Sequence, residues 1–286
     1  MLTTLFKHEM RATAKIFLWV YVAFVVVAVV NALTAPNMFG GVLTSGYASA
    51  QAYSQSVLVF PELLRGLTMT IYTMAIIAMS IITIVIIILR FYKNLLGDEG
   101  YLMFTLPVTR EQHLLSKFLA AMVWSICTGV LILLSVLMMF GTLGGFEQFV
   151  RAIDDMIAAG VPVGRYTFIF IVILIIGSAS GILMLYAAMA WGPNLIKNRV
   201  GGSILAFIII YIASQVLFVI IISIMSVTVG SNLIADMFIA NYDTAVNNTL
   251  AIFDTIFATV IIYSAIISIA CWMLTRFLVN KKLNLA

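Results

Sequence analysis

Residues 67–89 read LTMTIYTMAIIAMSIITIVIIIL, 23 positions without one charged side chain. As a helix rising about 1.5 Å per residue, the stretch covers the ~30 Å of hydrocarbon in a bilayer. Five further stretches qualify in the same way: about 16–35, 118–140, 166–190, 203–227 and 251–275. The expected fold is an all-α membrane protein with six transmembrane helices in a single transmembrane domain. The whole composition agrees. Of 286 residues, 64% are hydrophobic and 9% charged, whereas a soluble domain has about 45–50% and about 25%. Fifteen Lys and Arg with 11 Asp and Glu cannot cover a soluble surface of this size.

The loops between the spans set a direction. With the N-terminus inside, the inner segments hold Lys7, Arg11, Lys15, Arg90, Lys93, Arg110, Lys117, Lys197, Arg199, Arg276, Lys281 and Lys282. Arg65, Arg151 and Arg165 are left outside. That imbalance over short loops places both termini in the cytoplasm. Basic residues precede the first span as in a signal peptide. It is too long for an h-region, however, and Pro36 follows Ala35 directly, so the reading is a retained helix.

Composition also excludes classes. A net charge of +4 without clustered basic patches is not that of a nucleic-acid binder. Cys127 and Cys271 sit inside apolar runs and read as small buried hydrophobes. His8 and His113 have no cysteine nearby, so a zinc site is not expected. The spans hold almost no ionisable groups. Asp254 and Arg90 lie near span ends, which argues against an ion-coupled carrier and against acid–base catalysis at depth. The chain does not read as an enzyme.

Between the spans, residues 1–15 form an amphipathic segment with Leu2, Leu5, Phe6, Met10 and Thr13 on one side. Lys7, His8, Arg11 and Lys15 lie on the other, and Glu9 interrupts the apolar arc. This predicts an interfacial helix against membrane lipid. In 142–165, Phe146, Phe149, Val150, Ile153, Met156 and Ile157 recur at helical spacing, with Arg151 and Asp155 opposite. Ile234, Phe238 and Tyr242 suggest a further short helix in 230–250, external or partly re-entrant. Residues 36–66 give no strong signal.

The loop after the second span, RFYKNLLGDEGYLMFTLPVTREQHLLSK over 90–117, is the most informative. Gly97 can end one helix, Asp98 can cap a short new one whose dipole favours Glu99, and Pro107 stops it. Thr109 with Gln112 is a capping-box pattern that starts the third span helix. Tyr101-Leu102-Met103-Phe104 then sits in a segment facing the cytosol. Such exposed apolar side chains either meet a partner or dip into the headgroups. The second inner loop, WGPNLIKNRVGG over 191–202, is shorter and basic.

Together with the amphipathic N-terminus and six spans, the runs Tyr92-Lys93-Asn94-Leu95, Asp98-Glu99-Gly100-Tyr101, Phe104-Thr105-Leu106-Pro107 and Leu115-Ser116-Lys117 resemble the type-2 ABC (ATP-binding-cassette) export permeases. The likeness is to the stand-alone permease subunits of Gram-positive bacteria. It implies two permease protomers, identical or different, around a translocation path, driven by a separate pair of cytoplasmic ABC ATPase subunits that bind ATP and Mg. It implies that Asp98, Glu99, Gly100, Tyr101, Leu102, Met103 and Phe104 form the coupling helix on which the ATPase docks. Asn194, Lys197, Asn198 and Arg199 would form a second contact. Residues 1–15 and 230–250 would match the family's connecting and external helices. The long 36–66 segment departs from many relatives. The chain itself has no G-x-x-x-x-G-K-[ST] phosphate loop, hence no nucleotide-binding domain or cofactor by that route.

Inside the spans the polarity is mild. Gln215 lies mid-span, and Thr255, Thr259 and Tyr263 share a helix face; these four are candidates for lining a path. Packing is the favoured reading, since Gln bonds neighbouring helices and Thr bonds its own. Gly177-Ser178-Ala179-Ser180-Gly181 reads as close helix packing, or as a kink or gate. The resulting expectation is the membrane subunit of an exporter for an apolar or amphipathic substrate such as a drug, a lipid-like molecule or an antimicrobial peptide. The alternatives are a non-pumping immunity or sensor protein that binds a toxic peptide, and an ion-coupled transporter.

Overall fold

The computed structural model describes residues 2–34, 55–92, 109–142, 145–196, 198–237 and 242–281. Among these residues there are seven α-helices and no strand: α1 (Leu2–Thr34), α2 (Gln55–Phe91), α3 (Arg110–Thr142), α4 (Gly145–Ala158), α5 (Val163–Trp191), α6 (Arg199–Met237) and α7 (Tyr242–Lys281). All but α4 contain a segment long and apolar enough to cross a membrane. The segments are Thr3–Leu33, Gly66–Phe91, Glu111–Met139, Val163–Asn194, Val200–Val227 and Thr249–Val279. By length and composition the chain is a multi-pass membrane protein. The many exposed Ile, Leu and Val side chains on these helices are what a surface solvated by lipid tails requires.

Two details differ from the sequence reading. Residues 2–15 are helical but continue without a break into the first span, because no Gly or Pro occurs before Pro36 to interrupt the hydrogen-bond ladder. Lys7, His8, Arg11 and Lys15 are exposed, as the amphipathic pattern requires. Glu9, the interruption in the apolar arc, is buried beside Thr13 on the packed face. Likewise 230–237 prolong α6 and 242–250 belong to α7, so Ile234 and Tyr242 extend two spans. Phe238 lies outside the described residues.

The helices form two compact units. The first comprises residues 7–87 and 123–155. Its core is Phe24, Ala28, Tyr72 and Met79, with Val20, Ile76, Leu131 and Met139 packed around them. Polar side chains cross between helices here. The Trp124 indole N–H donates to Thr13 Oγ1 at 2.8 Å, and its ring stacks on Phe17 at 4.4 Å. The Tyr21 and Thr128 hydroxyls lie 3.0 Å apart, Thr83 and Thr128 3.2 Å, and Tyr72 and Ser135 2.8 Å. The Asn31 amide reaches the sulfurs of Met69 and Met139 at 3.8 and 3.7 Å. Each interhelical hydrogen bond in hydrocarbon contributes about 0.6–2 kcal/mol, so this chain of contacts holds α1, α2 and α3 in register.

The second unit comprises residues 1–6, 88–122 and 156–286. It is built from α5, α6 and α7 around Leu183, Met184, Ala187, Ile267 and Cys271. Its core is apolar, and its hydroxyls largely bond their own helices: Thr275 to Cys271 O, Thr259 to Thr255 O and Ser214 to Tyr211 O, each at 2.7 Å. Cys271 is buried as expected, whereas Cys127 is exposed on α3. Replacing Trp124 by Phe keeps most of the stack but removes the bond to Thr13. It should destabilise the protein by about 1 kcal/mol, read as a lowered midpoint of thermal unfolding in detergent.

Candidate functional site

Two places in the second unit bring chemistry-bearing side chains together, one at each end of α5. The first lies at the end of α2 and the start of α3, which flank residues 93–108. Phe91, at the end of α2, is 1% exposed and stacks on Tyr186 of α5 with ring centroids 4.1 Å apart. The Tyr186 hydroxyl, on a residue 2% exposed, donates to the Lys117 carbonyl on α3 at 3.3 Å. The end of α2 and the first turns of α3 are thus both fixed to one side chain. Thr109 starts α3 as its capping pattern predicts: the Gln112 N–H donates to Thr109 O at 3.0 Å, with Thr109 Oγ1 at 3.4 Å. His113, Ser116 and Lys117 are buried on the next turn. Arg276, near the end of α7, pairs with Glu111 at 2.5 Å, which ties α7 to the same place.

The α5–α6 connection lies beyond Tyr186 on the same helix. Gly192 N–H bonds Ala188 O, Pro193 opens a 3-10 turn over Gly192–Asn194, and Leu195 N–H returns to Gly192 O at 3.0 Å. Asn194 and Asn198 are exposed. So are Leu195 and Ile196, an apolar pair between the polar positions singled out from sequence. Gly202 and Gly192 close the connection. A Cβ on Gly202 would run into the Gly192 carbonyl oxygen, and one on Gly192 into Ser203 N. These two glycines are what let the backbones touch.

At the other end of α5 lies a cavity of about 500 Å³. Its walls come from Met156 of α4, Ala159 and Val161 just after it, Tyr166 of α5, and Thr249, Leu250, Phe253 and Phe257 of α7. Phe257 packs against both Tyr166 and Phe253, at 5.8 and 6.3 Å between centroids. Beside it Arg165 donates to Asp254 Oδ2 at 2.9 Å, and the Arg165 guanidinium stands over the Tyr166 ring at 5.9 Å. Asp254 Oδ1 is buried without a hydrogen-bond partner among the described residues. The two charges are 58% and 34% exposed, so the pair sits at a wet margin while the cavity is almost wholly apolar. A space of this kind accepts a greasy or aromatic group and offers no acid–base pair for chemistry.

The candidate residues from sequence divide accordingly. Asp98, Glu99, Gly100, Tyr101, Leu102, Met103 and Phe104 lie outside the described residues, as does Lys197; Arg199 is the first residue of α6. Thr255 and Thr259 bond their own helix, to Ala251 O and Thr255 O, both at 2.7 Å. Tyr263 packs on the apolar core, edge-on to Phe218 at 5.1 Å. The cavity instead uses roughly the opposite face of α7. Leu250, Phe253 and Phe257, spaced i, i+3, i+7, were the sequence signal for it. Gln215 is exposed on α6. The small-residue patch is not closely packed: a Cβ on Gly177 or Gly181 would meet nothing within 4 Å. Among the described residues no cluster of His, Cys, Asp and Glu could hold a metal ion. Compared with protein-family models, curated proteins and solved structures, the chain matches none.

Two contrasts test this geometry. Gly202→Ala should destabilise by about 1–3 kcal/mol, the range for forced overpacking, whereas Gly181→Ala should leave the unfolding midpoint unchanged or slightly higher. Tyr166, Phe253 and Phe257 form the aromatic lining, so an apolar fluorophore titrated into detergent-purified protein should bind about tenfold more weakly to a Phe253→Ala, Phe257→Ala double variant. That factor corresponds to losing about 1.4 kcal/mol of the contacts of two buried rings.

Proposed function

We propose that this chain is the membrane-spanning permease subunit of an ATP-driven exporter. Its cargo is apolar or amphipathic, and its engine is a separate ATPase on the cytoplasmic side of a bacterial cell membrane. The observation that carries the reading is the attachment of both stems of the 93–108 loop to Tyr186. A motor that pulled on that loop would act through Phe91 and Lys117 on a single residue of α5. At about 1.5 Å per residue, Tyr186 lies roughly 30 Å along α5 from Tyr166 in the cavity wall. One stiff helix therefore runs from the loop to the apolar cavity. α7 runs beside it from Phe253 to Arg276, the latter paired with Glu111 at the base of the same loop. Motion at one end can be delivered at the other without any group crossing the hydrocarbon.

The likeness of 90–117 to the coupling region of type-2 ABC permeases supports the same reading. So does the exposed Leu195–Ile196 pair, which would give the second inner connection an apolar contact for a docking surface. In this reading both termini are cytoplasmic and the cavity opens toward the outer face, suited to release of a greasy cargo.

The test uses the chain copurified with an ATPase encoded beside it. Replacing Tyr101 and Phe104 by Asp should abolish association. Tyr186→Ala should preserve association but lower cargo-stimulated ATPase activity about tenfold or more, while Tyr186→Phe, which keeps the stack on Phe91, should retain most of it. Full association and coupled activity in the Asp variants would overturn the docking assignment.

A further inference from the structure

A groove of about 360 Å³ runs along α1 from Ala14 to Val26, with Trp124 of α3 as its other wall. Its length is roughly 18 Å at 1.5 Å per residue, against about 15 Å for one leaflet of a ~30 Å hydrocarbon core. The polar atoms of its wall are used elsewhere: the Trp124 indole donates to Thr13, and the Tyr21 hydroxyl meets Thr128. What remains is a hydrocarbon surface on which Leu18, Val22 and Val25 are exposed. Above the groove the same helix carries cations. Because α1 is unbroken from Leu2 to Thr34, its first turns keep phase with the groove. At 100° per residue, Lys7, Arg11 and Lys15 fall within about 60° of Leu18, as do Val22 and Val25. All three cations are exposed, whereas Glu9, the acid of α1, lies on the opposite side and is 4% exposed. From Lys15 to Leu33 the helix rises roughly 27 Å, nearly the whole hydrocarbon thickness, which leaves the cations at the level of the headgroups. Three positive charges thus stand in line over the mouth of an apolar groove one leaflet deep.

We propose that this face of α1 binds a single anionic phospholipid, its phosphate held by Arg11 and Lys15 and one acyl chain laid in the groove against Trp124. Charge selects the headgroup. A zwitterionic lipid brings its own cation to a place that already holds three, whereas an anionic lipid brings net negative charge. Each Lys or Arg near the surface strengthens that attraction about fivefold, and the planar fork of arginine presents paired N–H donors to a phosphate. Shape selects the chain, since a groove as long as a leaflet is deep, with no polar atom left on its wall, suits an extended hydrocarbon tail. A helix of another protein would fill the groove without using the cations. The site stands on α1 and Trp124 alone and is independent of what the protein transports.

Trp124 reports on the groove directly. With Trp19→Phe, Trp191→Phe and Trp272→Phe it is the one tryptophan left in the full chain. In phosphatidylcholine vesicles, chain-brominated phosphatidylglycerol should quench its fluorescence at a several-fold lower mole fraction than chain-brominated phosphatidylcholine. Arg11→Gln and Lys15→Gln should each raise the mole fraction of the brominated phosphatidylglycerol needed about fivefold, while Arg11→Lys leaves it nearly unchanged. Val22→Phe, which fills the groove, should weaken quenching by either lipid. A control carrying Ile84→Trp on the exposed side of α2, with Trp124→Phe as well, should respond equally to the two lipids. Equal quenching of Trp124 by both lipids would overturn the proposal, as would a preference that survives Arg11→Gln together with Lys15→Gln. The same preference at the α2 control would also overturn it, since that is general enrichment of acidic lipid around the protein. So would the absence of quenching by either lipid, the result of a groove filled by protein. No ATPase is present, so failure here leaves the exporter reading standing, and loss of ATPase coupling leaves the lipid site standing.

Discussion

Hydrocarbon supplies no hydrogen bonds, and that constraint organises this molecule. Every polar side chain on the six apolar helices must be satisfied by its own helix, by a neighbouring helix, or by something beyond the chain. The two units answer it differently. In the first, Trp124, Tyr21, Thr128, Thr83 and Thr13 reach across from helix to helix, so the same bonds that satisfy the groups also fix the packing. In the second, Thr255, Thr259 and Thr275 fold back on their own helices, and α5, α6 and α7 meet through apolar surfaces. A core of the second kind has few directional bonds between its helices.

Against that background the exceptions carry the functional meaning. Tyr186 is a buried hydroxyl bonded to the carbonyl of another helix, beside the end of α2 at Phe91. Arg165 and Asp254 are charges held at the margin of an apolar cavity. An exposed ion pair of this kind contributes only about 0–1 kcal/mol to stability. Gln215 is exposed mid-span on α6, and among the described residues no hydrogen bond reaches its amide. The three lie on the same unit.

Much of the fold was legible in the sequence because its strongest signal, uninterrupted apolar length, does not depend on tertiary context. The six spans fall where hydropathy put them, Thr109 caps α3, and α4 forms where Phe146, Phe149 and Met156 recur. Boundaries set by more than length were harder. The cations of residues 1–15 suggested a separate helix, yet without Gly or Pro the backbone had no reason to break. The cavity was missed because its walls come from α4, α5 and α7, and a face such as Leu250-Phe253-Phe257 looks like ordinary core until its neighbours are known. Arg165 and Asp254 could each be noticed, but nothing local pairs residues 89 positions apart. Gln215 was visible as mid-span polarity; that it points away from its own helices was not.

In the proposed function, work enters this chain from an outside ATPase and leaves as movement of a greasy cargo. Transport in proteoliposomes that hold the chain and its neighbouring ATPase, loaded with a fluorescent amphipathic dye, measures that coupling without intermediaries. Dye movement should require ATP hydrolysis and be indifferent to proton or sodium gradients. Movement driven by an ion gradient in the absence of ATP would contradict the proposed exporter.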